Sequence, residues 1–392
     1  MATKGEVEST ARRYRGRLVR ALERDGLLAD PRWRAAFADV PRHEFLPRFF
    51  QPATPSAWTA TDCTDDDWLA QVYANRVLVT QLDGDPERWT AARERGQVRG
   101  VPTSSSSMPA IMAVMLEALD TADGDRVLEI GTGTGYNAAL LCHRLGAGQV
   151  STVDIDAGLV AVATERLAAI GYRPTCVATD GAKGYLPNAP YARVVCTCAV
   201  SAVPLHWLAQ TRPGGVVVTT LNRPLGAGLV RIEVGDGPAG QGRVLADDGR
   251  FMPLRAHRRL VDERLVSTLR AAPGPARDTE LTAATVASPA SPFEFFAGLA
   301  LPGVVPVSTE DVLLLIHRDG SWARQHSASG RHTVTQGGPR RIWDEVERAY
   351  DQWRGLGRPR RCRFGITVAP AGQELWLDRP DGPHRWPVSP IE

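Results

Sequence analysis

The chain has 392 residues, 43% of them hydrophobic and 23% charged, which is the composition of a soluble globular protein with two or three domains. The formal net charge of +2 is too small for an extended nucleic-acid-binding surface. The arginines between residues 12 and 24 are predicted to lie on a solvated helix face, although they could also meet an acidic peptide.

The cysteines and the apolar runs exclude further classes of protein. The six cysteines form no Cys-x-x-Cys pair and no Cys/His spacing typical of zinc, so no metal site and no disulfide framework is predicted. The N-terminus is polar, and no apolar run reaches the roughly 18 residues that a membrane span requires. We therefore expect a cytoplasmic protein without a membrane-spanning helix.

Residues 1–100 are predicted to form an N-terminal helical region and a substrate-side insertion. Residues 9–29 have the periodicity of an amphipathic helix. A second helix is expected after Asp30, with Asp30 as its cap and Pro31 at its first position. Residues 51–100 are rich in Thr, Asp and Gly and have the character of a variable segment.

Strands and helices alternate between residues 101 and 235. The expected helices cover residues 108–120, 136–146, 157–170 and 202–211. The expected strands cover residues 126–130, 149–154, 175–179, 193–198 and 215–221. This alternation predicts a doubly wound α/β fold with a parallel sheet. Residues 236–392 instead predict an appended, strand-rich α+β domain with one helix near 340–356.

A glycine-rich loop follows the first of these strands, in the stretch VLEIGTGTGY. Gly131, Gly133 and Gly135 permit a tight turn and the close approach of a ligand to the backbone. A dinucleotide-binding loop would have its third glycine at the position of Tyr136. Glu129 precedes the loop, and a carboxylate there would tolerate a cationic sulfonium but repel a pyrophosphate.

Two aspartates follow the next two strands. Asp154 ends the second strand, where an acid can reach the ribose hydroxyls of a nucleoside, and Asp180 could contact an adenine amino group. Together with the loop they favour S-adenosylmethionine over NAD as the cofactor, with S-adenosylhomocysteine as its product. A glycine-rich turn without a ligand would not need acids after two successive strands.

Four consecutive serines, Ser104–Ser107, precede the helix that leads to the glycine loop. Serine hydroxyls beside free N–H groups at a helix N-terminus suit a carboxylate substrate. A carboxylate is ionised at pH 7, so its methylation needs orienting donors rather than a general base. The structural alternative is a flexible loop in which Ser107 caps the helix. The nearby cofactor loop favours the functional interpretation.

The chain resembles the protein-L-isoaspartate O-methyltransferase family, which has a Thr-Ile-Ser-x-Pro segment at this place. When the segment is matched on Pro109, the family's catalytic serine falls on Ser107. The stretches FLPRFF, VLEIGTGTGY, TDGAKG and RPGG follow in the family's order. The resemblance covers about residues 10–50 and 100–235. It implies a class I, Rossmann-like methyltransferase core that depends on S-adenosylmethionine.

These patterns define the candidate site. The acceptor carboxylate is expected to contact Ser107, with Ser106 beside it. The residues expected to bind the cofactor are Ser105, Glu129, Gly131, Thr132, Gly133, Gly135, Tyr136, Asp154, Ile155, Asp180 and Gly181.

Several departures from the family pattern point to a specialised subtype. Ser106 stands where the family has an apolar residue, and Ala192 replaces the usual aspartate. A long insertion, expected on the substrate side, precedes Ser105, and residues 236–392 have no counterpart in the housekeeping repair enzyme. With the stretch GRFMPLR at 249–255, the architecture is similar to methyltransferases associated with ATP-grasp peptide maturases, the graspetide systems.

That resemblance implies methylation of an aspartate side chain in a ribosomally made, crosslinked precursor peptide. The ester would then lose methanol and close to an aspartimide. Repair of isoaspartyl residues in damaged proteins is the alternative, and a non-catalytic module that holds a precursor peptide is a third hypothesis. The expected partner is a peptide, held in part by residues 236–392, with no nucleic acid and no membrane. The oligomeric state cannot be predicted.

Overall fold

A computed structural model of the chain describes residues 3–54, 56–221, 223–255, 263–308 and 311–388. The chain divides into two compact units. The first unit comprises residues 1–198, 206–218 and 233–237, and the second comprises 199–205, 219–232 and 238–392. The boundary predicted after residue 235 falls in the last short segment of the first unit.

Within the described residues, the helices and strands have the following bounds. The helices are α1 (Lys4–Arg24), α2 (Pro31–Asp39), α3 (Trp68–Val72), α4 (Glu87–Arg95), α5 (Pro109–Leu119), α6 (Tyr136–Leu145), α7 (Ala157–Ala169), α8 (Leu205–Ala209), α9 (Glu263–Ala271), α10 (Ala283–Ala287), α11 (Glu294–Ala300) and α12 (Ile342–Gly355). The strands are β1 (Arg48–Thr54), β2 (Ala57–Asp62), β3 (Leu78–Leu82), β4 (Val98–Arg99), β5 (Pro102–Ser106), β6 (Val127–Ile130), β7 (Val150–Asp154), β8 (Thr175–Ala178), β9 (Tyr191–Val200), β10 (Thr211–Leu221), β11 (Gly228–Val234), β12 (Gly240–Val244), β13 (Arg277–Asp278), β14 (Val305–Ser308), β15 (Val312–Ile316), β16 (Trp322–Ala328), β17 (Arg331–Gly337), β18 (Phe364–Ala369), β19 (Gly372–Leu377) and β20 (Arg385–Pro387).

The two N-terminal helices begin at capping residues. The Thr3 side chain accepts a hydrogen bond from the backbone of Glu6, whose carboxylate bonds back to Thr3, and this capping box starts α1. Asp30 caps α2, and Pro31 occupies its first position, as the sequence predicts. The solvated face predicted for α1 has one exception, since Arg15 is only 6% exposed.

The stretch from residue 48 to residue 106 forms an antiparallel sheet with strand order β4-β2-β1-β3-β5. The sequence analysis assigned no strands to this variable segment. The strands are short, and their apolar side chains, such as Phe50, Val79 and Val98, are too sparse to give an alternating pattern. They nevertheless pack into one buried cluster with Leu82 and Ala92. The serine-rich strand β5 lies at one edge of this sheet.

The doubly wound parallel arrangement of the first unit confirms the predicted fold class. Its strands have the order β10-β9-β6-β7-β8, and β6 runs parallel to both β7 and β9. The strand β7 pairs in parallel with β8, so that Asp154 lies opposite Ala178. The carboxyl ends of β6, β7 and β8 therefore meet at one edge, which brings the glycine loop and both predicted aspartates together.

The second unit has the predicted mixture of strands and helices. Its strands have the orders β20-β19-β18-β12-β11 and β13-β17-β16-β15-β14. Helices α9, α10 and α11 lie between residues 263 and 300, so the prediction of one helix was incomplete. These helices are short, and the aromatic rings of Phe293 and Phe296 pack 6.4 Å apart beside α12. Among the described residues, no helix is long and apolar enough to cross a membrane.

Candidate active site

Backbone N–H groups of the glycine loop hold the loop against β7. The N–H of Gly131 donates to the Val153 carbonyl at 2.8 Å, and the N–H of Gly133 donates to the Asp154 carboxylate at 3.0 Å. Gly131 has a φ of 102°, and a Cβ there would lie 2.6 Å from Thr197 Oγ1. Any other residue at Gly131 would therefore be both strained and sterically blocked. The loop geometry depends on this glycine.

The ends of β7 and β8 fit the nucleoside part of S-adenosylmethionine. Asp154 is partly buried, and its second carboxylate oxygen accepts a backbone N–H of the following turn at 3.1 Å. Ile155 comes next, and its apolar side chain is 49% exposed, which suits the face of a flat base. Asp180 caps a short turn, and Gly181 behind it is buried. The structure thus places two carboxylates and an exposed apolar group on adjacent strand ends.

Glu129 lies in the interior rather than on an open surface. It is 0% exposed, and it accepts hydrogen bonds from Asn137 Nδ2 at 2.7 Å and from Thr152 Oγ1 at 2.6 Å. Burial raises the pKa of its carboxyl to about 7 in spite of these hydrogen bonds. Thr132 joins the network through Thr152, at 2.7 Å between the hydroxyls. Glu129 therefore connects β6, β7 and α6, and contact with the cofactor stays a prediction.

The serine run is a strand with two different faces. Ser104 and Ser106 are 5% and 3% exposed, whereas Ser105 and Ser107 are partly exposed, as the period of two in a strand requires. The backbone of β5 pairs with β3, with Ser105 opposite Val79. Ser107 comes directly after the last residue of the strand.

Ser107 does not cap the helix that follows. The N-cap position of α5 is Met108, which makes no side-chain capping hydrogen bond. The N–H of Ala110 instead donates to the side chain of Asn75 at 2.9 Å. The structural alternative of a flexible capping loop was therefore wrong. The Ser107 hydroxyl makes no hydrogen bond with any residue that the structure describes.

A buried arginine that the sequence did not indicate is hydrogen-bonded to the serine strand. Arg42 is 0% exposed, and its Nη2 donates to Ser106 Oγ at 3.2 Å and to the Ser107 carbonyl at 3.0 Å. Its guanidinium lies 5.4 Å from the ring centre of Tyr136. Burial lowers the pKa of Arg42 to about 10, and its Nε and Nη1 have no partner among the described residues. The hydroxyl of Ser106, a candidate catalytic residue, is thus engaged by Arg42.

Gly135 and Tyr136 start the helix behind the loop. Gly135 has a φ of 88°, and a Cβ there would lie 3.1 Å from Ala163 Cβ. Tyr136 is only 2% exposed, and burial raises the pKa of its phenol well above the usual range. The two residues therefore lie in the packed base of the site.

The serine strand and the cofactor loop are in contact. A Cβ on Gly133 would lie 3.6 Å from the Ser105 carbonyl oxygen and 3.8 Å from Ser104 Oγ, which are ordinary van der Waals distances. The structure thus brings the predicted acceptor and cofactor residues to one place in the first unit. Within the parts of the chain described by the structure, no group of three or more His, Cys, Asp or Glu side chains could hold a metal ion.

The comparisons with known proteins point to one family. The family described as protein-L-isoaspartate(D-aspartate) O-methyltransferase matches residues 95–242. A relative named protein-L-isoaspartate O-methyltransferase from Azorhizobium caulinodans is 38% identical over 189 residues, which are 48% of this chain and 86% of that protein. One of the same name from Ignicoccus hospitalis is 43% identical over 114 residues, 29% of this chain but only 54% of the relative.

One solved structure supports the fold over a longer stretch. A chain named protein-L-isoaspartate O-methyltransferase is 22% identical, with a TM-score of 0.52, and the alignment covers 93% of this chain and 100% of the other. The likeness in fold therefore extends past residue 242.

The fold and the glycine loop define a class I methyltransferase that uses S-adenosylmethionine. The chain belongs to the protein-L-isoaspartate O-methyltransferase family, because it covers most of a relative with which it shares well over 30% identity.

Proposed function

We propose that this protein acts in the cytoplasm and methylates the free α-carboxylate of an L-isoaspartyl residue in a peptide or protein. The observation that carries the proposal is the Ser107 hydroxyl, a donor without a partner among the described residues, at the end of a strand that contacts the cofactor loop. Membership of the family and the names of the relatives support the isoaspartyl substrate.

The reaction requires positioning more than proton transfer. Bound S-adenosylmethionine supplies an electrophilic methyl group. Asp154 and Asp180 would hold the nucleoside at the strand ends, with Ile155 against the base. The Ser107 hydroxyl would donate to one carboxylate oxygen and leave the other oxygen in line with the methyl carbon. A methyl group transferred to that oxygen would leave the sulfonium sulfur of the cofactor, so the products would be a methyl ester and S-adenosylhomocysteine. No base is needed, because the acceptor is already ionised.

Arg42 is a positioning residue in this scheme. Its Nη2 holds the Ser107 carbonyl, so the backbone that carries the acceptor-binding hydroxyl cannot shift freely. The same nitrogen donates to Ser106 Oγ, which supports a positioning role for Ser106 beside Ser107 and leaves the Ser106 O–H as a candidate second donor to the acceptor.

A second candidate function is methylation of an aspartate in a crosslinked precursor peptide. The methyl ester would lose methanol as the neighbouring amide nitrogen attacks it, which leaves an aspartimide. The observation that favours this candidate is the five-stranded sheet whose edge strand β5 carries the serines. Additional surface next to the acceptor residues suits a folded peptide ring, which offers more to contact than a flexible damaged loop. Residues 236–392 would contribute to peptide recognition.

Mass spectrometry with two substrates tests both candidates. The protein is incubated with S-adenosylmethionine and either a short L-isoaspartyl peptide or a crosslinked precursor peptide encoded near it. Gain of one methyl group on the isoaspartyl peptide supports the first candidate, with the same peptide containing normal aspartate as the control. Methylation of the precursor alone, followed by loss of methanol, would replace the first candidate with the second. Cofactor binding with methylation of neither peptide would favour a non-catalytic peptide-binding module.

A further inference from the structure

A cavity of about 410 Å³ lies within the first unit, next to the cofactor loop. Its wall includes Gly133 of the loop, Thr80 of β3, and the side chains of Arg48, Trp89 and Arg166. None of these three side chains was singled out by the sequence, because each lies far along the chain from the glycine loop. The cavity is large enough for a side chain of a bound peptide.

The two arginines of this cavity lack acidic partners. The guanidinium carbon of Arg48 lies 5.0 Å from the ring centre of Trp89, and Arg166 donates to the Phe45 carbonyl at 2.9 Å. Neither arginine has a carboxylate within ion-pair distance among the residues that the structure describes. The indole nitrogen of Trp89 is shielded from solvent and also lacks a hydrogen-bond partner in that part of the chain. The two guanidinium groups on this wall are therefore available to an anion.

The two arginines also act on each other. The pKa of Arg166 is lowered, first by burial and then by the positive charge of Arg48. Arg48 is exposed and Arg166 is partly buried. An anion between them would relieve their mutual repulsion and the desolvation of Arg166.

The acids on the cavity wall are already engaged. Asp156 accepts the N–H groups of Gly158 and Leu159 at the start of α7, and its other oxygen accepts Gln81 Nε2 at 3.1 Å. Asp85 accepts a backbone N–H at 2.9 Å and lies 3.7 Å from the Arg88 guanidinium. Neither carboxylate forms an ion pair with Arg48 or Arg166 in the described part of the chain, although the negative charge of Asp156 remains on the wall.

The cavity adjoins the serine strand. Thr80 Oγ1 donates to Ser104 Oγ at 3.2 Å, and Gly133 on the wall contacts Ser105. A peptide whose acceptor carboxylate reaches Ser107 could therefore place a nearby side chain in the cavity.

We propose that this cavity binds a second carboxylate, from an aspartate or glutamate close to the methylated residue of the substrate peptide. Arg48 and Arg166 would pair with the carboxylate, and Trp89 would pack on the side chain that carries it. The enzyme would thereby select acidic stretches of peptide. This inference rests on the proposed function, since it assumes a peptide with an acceptor carboxylate.

Calorimetry with matched peptides tests the inference apart from turnover. The probes are two L-isoaspartyl heptapeptides that differ only in having glutamate or glutamine at the two positions after the isoaspartate. Their binding to the full-length protein saturated with S-adenosylhomocysteine is measured for wild type, Arg48→Met and Arg166→Met. Arg95→Met is the control, because Arg95 is an exposed residue of α4 outside the cavity.

We expect wild type to bind the glutamate peptide about tenfold more tightly than the glutamine peptide. Each cavity variant should lose most of this preference, while Arg95→Met keeps it. Equal binding of the two peptides to wild type would overturn the proposal, as would an undiminished preference in both cavity variants. A large loss of S-adenosylhomocysteine affinity in Arg48→Met would assign the cavity to the cofactor and also overturn it. A retained binding preference without any methylation would count against the proposed function alone.

Discussion

Removal of the Ser107 hydroxyl is expected to slow methyl transfer without weakening the fold. The hydroxyl has no hydrogen-bond partner among the described residues, so Ser107→Ala breaks no intramolecular bond there. The free energy of unfolding should change by less than about 0.5 kcal/mol. A hydrogen bond to a charged acceptor contributes about 1.5–3 kcal/mol. Its loss should lower kcat/KM by roughly 10- to 150-fold.

The assay follows S-adenosylhomocysteine formation with an L-isoaspartyl peptide, alongside calorimetric binding of S-adenosylhomocysteine and urea unfolding. Ser104→Ala is the matched control on the same strand. Ser104 is buried and accepts a hydrogen bond from Thr80, so its replacement should cost about 1 kcal/mol of stability and leave kcat/KM nearly unchanged.

Two results would refute the role given to Ser107. The first is a wild-type kcat/KM in Ser107→Ala, which would mean that the hydroxyl does not orient the acceptor. The second is an equal loss of activity in Ser107→Ala and Ser104→Ala, which would mean that the shape of the strand matters and not this particular hydroxyl.

Three further changes probe the surroundings of the serines. Glu129 has a folded-state pKa near 7, above the ordinary value of 4.5. Between these two pH values the folded protein retains a proton on Glu129 that the unfolded chain has lost. Stability should therefore fall as the pH rises through this window, and Glu129→Gln should remove the slope and unfold at higher urea than wild type at pH 8. Arg42→Met should lower kcat about tenfold without changing cofactor affinity, and Arg42→Lys should recover part of the loss, because one donor returns to the Ser107 carbonyl. Asp154→Ala should raise the Kd of S-adenosylhomocysteine about tenfold in calorimetry, because it also releases the Gly133 N–H; an unchanged Kd would contradict the nucleoside site.

The parallel core could be predicted because each of its elements is encoded locally. The strand β6 is a short apolar run directly followed by glycines, and α7 begins after the cap Asp156. In a parallel sheet the carboxyl ends of strands share one edge, so the placement of Asp154 and Asp180 follows once the strands are known.

The support of the site could not be predicted, because it depends on contacts between distant parts of the chain. Arg42 and Ser106 are 64 residues apart, and nothing near either residue indicates the other. The sheet that contains β5 is assembled from short strands without a strong alternating pattern. An arginine in the sequence is normally read as a surface residue, whereas Arg42 is fully buried.

The difference between a capping loop and a strand matters for how the acceptor is positioned. A serine at a helix cap would be fixed by the helix alone, and its hydroxyl would accept a hydrogen bond from a backbone N–H. At the end of β5 the position of Ser107 is instead set by the pairing of β5 with β3 and by the hydrogen bond from Arg42 to the Ser107 carbonyl. The Ser107 hydroxyl is therefore available to a ligand. Since residues 48–106 form the sheet that holds β5, the role proposed for Ser107 would make them part of the catalytic architecture. Changes to this sheet should therefore alter kcat before they alter cofactor affinity, which depends on β6 and β7.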